Sequence, residues 1–425
     1  MGKAFESCFF KFPHPPAPVI NLPDDPLPQH PFYLITQDNV RNVLFGISNK
    51  SGPGPSGIGY KLVKWMFEAH PDFILDIFNA ALRLGHHPWT TTKVVILPKL
   101  NKEDYSAAKS YQPVSLLEYF GKTLEKVVAN CFTSDSNLHN NLPLTQFGSH
   151  PYHLATDACN LLWYKAEMTT QSGRIGGVLL FDISRFFDCL DLTFTSQVFR
   201  HLGIDDEMVL WVNDFMSCRT ITMAFNNHTM DPLTPDLGTP QGSPLSPILS
   251  VLVTGPILCL VESWEDLDLT LYVDNRSIFA LGPTYKVTAD KLTTAANCIF
   301  SWLRDSGFTI NADKCKTMFF QPWSRTKTLY GMPPLTIKVS LGNGTETTIT
   351  PAISLCYLGV FFTPQLNWMT HVQIMSTHVL SLVKGLGVLG NSIRGFRLVN
   401  WRKIFISVIL PILTYGCQVW FKDVS

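Results

Sequence analysis

The sequence predicts an α+β fold on three observations. Leu269–Val273 and Arg276–Ala280 alternate apolar and polar residues around Asp274-Asn275, the pattern of a tight antiparallel hairpin. Long stretches such as Leu116–Phe132 and Ala289–Ser306 carry helical periodicity instead. Of 425 residues, 46% are hydrophobic, enough for a sizeable core divided among two or three subdomains. Helices mixed with antiparallel strands, rather than either alone, give the class.

Along the chain, residues 1–35 are dense in proline (Pro13, Pro15, Pro16, Pro18, Pro23, Pro26, Pro28, Pro31) and read as an extended linker. Thr36–Ile47 predicts a short amphipathic helix, and a turn cluster, Ser51–Gly57, follows it. Helical patterning then runs through Leu62, Trp65, Met66, Ile74, Ile77, Phe78 and Leu82. Val94–Leu97, Gly176–Asp182, Thr220–Phe225 and Thr317–Phe320 read as strands, and Tyr357–Phe362 as a further one. Phe194–Leu202 and Glu207–Met216 read as helices, and Pro247–Ser263 as a buried one. The C-terminal helices are expected to break near Gly385 and Gly395.

Formal net charge is zero with a pI near 7.2, which by itself argues against a nucleic-acid binder. The distribution is uneven, however. Between Glu346 and Asp423 there is no acidic residue, while Lys384, Arg394, Arg397, Arg402, Lys403 and Lys422 are basic. Such a segment suits a phosphate backbone, and equally suits a helical layer whose few solvated charges happen to be basic. Ten cysteines without a Cys-x-x-Cys pair, and no secretory leader, predict reduced thiols inside the cell. The apolar windows Leu245–Val261 and Ile404–Leu413 are interrupted by proline or too short for a bilayer, so no membrane partner is expected.

Two acids stand out because each closes an apolar run: Asp182 after Val178-Leu-Leu-Phe181, and Asp274 after Leu269-Thr-Leu-Tyr-Val273. An ionised carboxylate beside a hydrophobic strand needs a cation or donor to compensate it, and two together suggest one divalent-metal site. The ordinary alternatives are a helix cap for Asp182 and plain hairpin chemistry for Asp274-Asn275. Between them, Gly238–Pro247 holds two glycines and three prolines, a stiff and closely approachable loop. Gln241 could reach a nucleotide or template base there, and Gly242 would let the backbone lie close to it; a plain connection into a buried helix is the alternative.

In this order of acid, Pro-Gln-Gly loop and Tyr-Val-Asp, the chain resembles the reverse transcriptases of non-LTR, LINE-like retrotransposons. The resemblance extends through Gly54–Ile58, Val94–Lys99, Ser110–Leu117, Gly121–Lys126, Gln146–Gly148, Gly307–Lys314, Tyr357–Val360 with Leu366–Trp368, and Thr414–Trp420, about residues 35–421 in all. It implies a right-hand polymerase fold: a linker over 1–35, fingers over 36–175, a palm over 176–362 (fingers and palm together about 80–362), and a partial helical thumb with following segment over 363–425. The implied reaction is RNA-directed DNA polymerisation, with an RNA template, a DNA primer, dNTPs and Mg²⁺, or Mn²⁺, as partners, in the nucleus. Asp182 and Asp274 would hold the metal, and Phe187 would exclude a ribose 2′-hydroxyl or simply pack. Lys99 and Lys314 would approach phosphates or remain solvated surface lysines. Arg394, Arg397, Arg402 and Lys403 would contact nucleic acid. No endonuclease, RNase H or zinc-knuckle segment is recognisable in these residues.

Departures from that family's pattern bear on activity. Asn275 stands where a second Asp is usual, beside Asp274 in the catalytic set, and can offer a carbonyl oxygen but no charge. At about 4 Å and an effective dielectric near 20, one such charge pair is worth about 4 kcal/mol of gross Coulomb energy. Gln112 stands where an Arg usually grips triphosphate, His150 replaces a frequent Arg, and Arg276 a common Gly. Two readings follow: an RNA-directed DNA polymerase, or a non-catalytic remnant that at most binds nucleic acid.

Overall fold

The structure is a computed structural model that describes residues 1–11, 22, 26–32, 34–99, 102, 104–139, 142, 144–226, 228–320, 336–340, 346–387, 395 and 397–421. The helices in chain order are α1 (Gly2–Phe9), α2 (Gln37–Gly46), α3 (Tyr60–Ala69), α4 (Pro71–Arg83), α5 (Tyr119–Leu138), α6 (Ala155–Ser172), α7 (Leu192–His201), α8 (Asp206–Ser217), α9 (Ser246–Thr254), α10 (Ile257–Val261), α11 (Tyr285–Asp305), α12 (Met369–Gly387), α13 (Leu398–Ile404), α14 (Leu410–Leu413) and α15 (Cys417–Trp420). The strands are β1 (Thr91–Pro98), β2 (Tyr111–Leu116), β3 (Ile175–Ser184), β4 (Thr220–Phe225), β5 (His228–Thr229), β6 (Leu267–Tyr272), β7 (Asn275–Gly282), β8 (Thr309–Ile310), β9 (Lys316–Phe320), β10 (Ile337–Ser340), β11 (Glu346–Ile349), β12 (Leu355–Tyr357) and β13 (Val360–Phe362). The α+β expectation therefore holds, and among the described residues no helix is long and apolar enough to cross a membrane.

Two compact units form, both discontinuous in sequence. The first comprises Met1–Pro151, Ile183–Leu260 and Trp302–Thr309. Its sheet has the order β2–β1–β4–β5, antiparallel except for the parallel pair β1–β4. Helix α1 covers this sheet, burying Phe5 and Phe9 against Val94, Ile96, Tyr111, Ile221 and Met223. Residues 2–9 are thus helical, not extended linker: the prolines begin at Pro13, and two phenylalanines four apart supply a face worth about 1.5–3 kcal/mol per buried ring. Helix α2 starts at a reciprocal cap, in which Thr36 N donates to Asn39 Oδ1 and Asn39 N to Thr36 Oγ1. The helical pattern over 60–83 divides in two because Pro71 opens α4 at its first position. Pro256 likewise splits the expected helix over 247–263 into α9 and α10.

The second unit comprises Tyr152–Asp182, Val261–Ser301 and Ile310–Ser425. Strand β3 is buried along nearly its whole length and pairs antiparallel with β7 on one edge and β9 on the other, while β6 pairs β7. Gly177 explains how β3 is enclosed: a Cβ there would meet Leu292 and Thr288 of α11 and Phe319 of β9 at 2.8–3.0 Å. Beyond the sheet, the expected strand over 357–362 is a small hairpin, β12–β13, turning at Leu358 and Gly359 with φ of 46° and 86°. The stretch 414–420 packs on that turn, with Tyr415 Oη donating to Leu358 O at 2.8 Å. Gly385 lies inside α12 rather than at a break. Arg397 at the N-cap of α13, and Arg402 and Lys403 on it, are exposed, as are Leu398 and Val399, and Arg394 lies outside the described residues.

Candidate active site

Strand register brings the two acids together. Asp182 in β3 pairs with Asn275 in β7, and Asn275 in turn pairs with Tyr272, so the β6–β7 turn is Val273-Asp274 rather than Asp274-Asn275. Positive φ falls on Val273, at 54°, a costly conformation for a β-branched residue. Strain of that kind, about 1–3 kcal/mol, concentrates where a turn must present a side chain in a set place. Here it presents Asp274 beside the end of β3. A slip of one residue would turn every β7 side chain to the other face.

Asp182 is only 6% exposed, and its carboxyl is held above the ordinary range. Burial is the main cause, Lys314 pulls it back down, and the neighbouring Asp274 carboxylate pushes it up again. Lys314 reaches Asp182 because Asn311 N donates to Asp182 O at 3.0 Å, docking the segment that carries it. Its Nζ lies 2.7 Å from Asp182 Oδ2, although the Lys314 side chain is 59% exposed. Asn275 Nδ2 donates to Asp274 Oδ1 at 2.9 Å. Arg276, at 1% exposure, feels both acids, and burial brings its pKa down to about 9. The mouth of the site is lined by Asp182, Asn275, Lys314, Lys316, Tyr357 and Leu358. Two neighbouring carboxylates offer oxygen donors of the kind that fits a hard divalent cation. The helix-cap alternative for Asp182 does not apply: β3 continues to Ser184, and Asp191 caps α7 instead.

Lys99, Gln112, His150, Phe187, Gln241 and Gly242 lie in the first unit. Strand β3 is followed by a turn over 185–189, not an extended segment, so Phe186 is buried and Phe187 half-buried with ring centres 5.7 Å apart. Gln241 donates Nε2 to both Asp188 oxygens at 2.9 and 3.0 Å, and its carbonyl accepts from Ser115 N. Gly242 has φ of 133°, and a Cβ there would lie 2.7 Å from Ser115 O, so its immediate requirement is the approach of β2. Lys99 donates Nζ to Lys109 O, and Gln112 is exposed on β2 opposite Leu97. His150 Nδ1 lies 3.0 Å from Pro151 O.

Sequence reasoning missed what secures this loop. Arg219, fully buried, donates to Leu237 O and Gly238 O at 3.2 and 2.6 Å. Asp188 is pushed up to about 6 by burial, against the pull of Gln241 and of Arg185 and Arg219. Ser243 Oγ donates to Glu125 Oε2 at 2.5 Å, and Glu125 is pushed up to about 7 by burial. His87, 3.6 Å from Glu125, is held down to about 4 by burial. Local sequence carries no signal for it: Glu125 stands between Leu124 and Lys126, in a stretch with charges on either side.

A family model described as reverse transcriptase (RNA-dependent DNA polymerase) matches residues 98–362, more than half of the chain. The chain belongs to the reverse transcriptase family. It is 23% identical over 383 residues to a putative 115 kDa protein in the type-1 retrotransposable element R1DM of Drosophila melanogaster, covering 88% of this chain and 35% of that protein. It is 24% identical over 399 residues to the RNA-directed DNA polymerase from mobile element jockey of Drosophila melanogaster, covering 92% and 42%. This reverse transcriptase chain thus spans well under half the length of these relatives. An apo telomerase from Candida tropicalis, truncated from its C-terminal domain, is similar with a TM-score of 0.43 and 13% identity, covering 66% of this chain and 54% of that one.

Proposed function

We propose that this chain is an RNA-directed DNA polymerase of retrotransposon origin that extends a DNA primer on an RNA template with dNTPs, in the nucleus. The observation that carries the reading is the strand register that sets the Asp274 carboxylate beside Asp182 in a chain of this family. In this reading residues 36–175 act as fingers, 176–362 as palm and 363–425 as thumb, with 1–35 leading in. Asp182 and Asp274 would hold Mg²⁺, or Mn²⁺. The cation, when bound, supplies activation of the primer 3′-hydroxyl and neutralisation of the triphosphate charge.

The remaining roles belong to side chains. Asn275 fixes Asp274 through its amide, leaving its carbonyl oxygen as a neutral donor. Lys314 neutralises Asp182 at rest and, being exposed, can swing to leaving phosphate. Lys99 would approach the incoming triphosphate, with Gln112 standing beside it as an uncharged hydrogen-bonding partner. Phe187 would sit against the sugar. Gln241 and Gly242, fixed on Asp188 and Ser115, would keep the loop rigid beneath a base pair. Arg394, Arg397, Arg402 and Lys403 would follow the duplex backbone.

A non-catalytic remnant is the second reading, favoured by the missing carboxylate at Asn275 and by an acid pair that finds compensation within the protein. The two separate in a primer-extension assay on an RNA template. Extension is expected, faster with Mn²⁺ than Mg²⁺, and Asn275→Asp should raise the rate. No extension with either metal, even in an Asn275→Asp, Gln112→Arg double variant, would discard the polymerase reading.

A further inference from the structure

Three side chains in the first unit, away from every residue assigned above, converge on one point. Asp135 and His139 lie one turn apart at the end of α5, and His30 comes from the segment 26–32. Four-residue spacing puts Asp135 and His139 on one helix face. One imidazole nitrogen from each histidine and one Asp135 oxygen all lie within 4.8 Å of one another. The two imidazoles stack with ring centres 3.5 Å apart and 18° between planes. His30 is 4% exposed, and its Nδ1, 3.4 Å from Asp135 Oδ2, makes no hydrogen bond. The backbone holds it there: His30 N donates to Gly203 O at 2.7 Å, and Leu27 N to His201 O at 2.8 Å.

A histidine at a helix C-terminus is ordinarily explained by the helix dipole. That explanation covers His139, but not a second, buried imidazole stacked on it with an unused nitrogen aimed at the same carboxylate. We propose that His30, Asp135 and His139 form a binding site for a zinc-class divalent ion. Two imidazole nitrogens and one carboxylate oxygen suit such a borderline ion, with a fourth position open to water. His139 is exposed and can swing the remaining distance, while His30 and Asp135 are already in place. The bound ion ties the segment 26–32 to α5, and it differs in chemistry from the all-oxygen set at Asp182 and Asp274.

Titration of the full chain with Zn²⁺, and with Co²⁺ as a spectroscopic substitute, tests the site in the presence of excess Mg²⁺ to occupy oxygen-donor positions. One equivalent should bind, with visible d–d bands free of thiolate charge transfer. His139→Ala and Asp135→Asn should each weaken binding by at least the roughly 10–100-fold lost with an outer partner of a metal ligand. Asp182→Asn should leave it unchanged. Because His139 is exposed, its replacement tests binding even if Asp135→Asn unfolds the chain. Absence of saturable binding, a thiolate band that moves the ion to cysteine, or indifference to His139→Ala would overturn the proposal.

Discussion

Two pairs of acids in this molecule, each with one buried member (Glu125 and Asp182), are held in opposite ways. In the first unit, both oxygens of Asp188 accept from the Gln241 amide nitrogen, Glu125 accepts from the Ser243 hydroxyl, and the buried Arg219 supplies charge to both. Every partner there is packed and cannot leave without disrupting its surroundings. In the second unit, Asp182 depends on a lysine that is 59% exposed, and Asp274 on the amide of its own neighbour. Burial raises the carboxyls of Asp188, Glu125 and Asp182 alike. The contrast therefore lies in whether the compensating group can be exchanged for a ligand. A fixed network builds a loop; an exchangeable one builds a site.

The largest effect should come from removing one exchangeable acid. Asp182→Asn should lower primer extension on the order of 10⁴-fold, the scale seen when a member of a catalytic set is lost, with little change in unfolding midpoint. If the acid were structural, stability would fall instead. The converse holds for the fixed network. Arg219→Ala leaves two acids buried without their cation and should cost about 3–5 kcal/mol of stability, read by urea unfolding.

A pH difference sharpens the comparison further. Burial pushes the Glu125 carboxyl from its ordinary 4.5 up to about 7, so the folded state holds its proton more tightly. That stabilisation is fully present below about pH 4.5 and is lost as pH rises through about 7. His87, lowered to about 4, acts in the opposite sense as pH falls below 6.5. Subtracting wild type from Glu125→Gln removes most of the His87 contribution: the variant should gain relative stability between about pH 4.5 and 7. A flat difference curve would mean that Glu125 is not held protonated. The smallest effect is expected at Lys314. Lys314→Gln should tighten divalent-metal binding by no more than about fivefold, since a partly exposed ion pair is worth up to about 1 kcal/mol.

Much of this was legible in local sequence, for physical reasons. The β6–β7 hairpin and β3 show as apolar runs that reach an acid, because a carboxylate is costly beside a core unless a partner compensates it. The turn position shifted by one residue because positive φ favours Asp or Asn in general, whereas here pairing of Asn275 with Tyr272 forces it onto Val273. Helix α1 hid beside a proline-rich stretch, since its stability comes from the sheet that Phe5 and Phe9 cover. The anchoring of Gln241 on Asp188 spans 53 residues, and that of Ser243 on Glu125 spans 118. No periodicity or spacing rule reaches across such distances. His30 and Asp135 were silent for the same reason.

The central claim is that Asp182 and Asp274 together hold one divalent cation, and Mn²⁺ binding followed by electron paramagnetic resonance tests it most directly. Wild type should bind Mn²⁺ at a site lost in both Asp182→Asn and Asp274→Asn and retained in His139→Ala. Mn²⁺ binding that survives both aspartate substitutions would contradict the account.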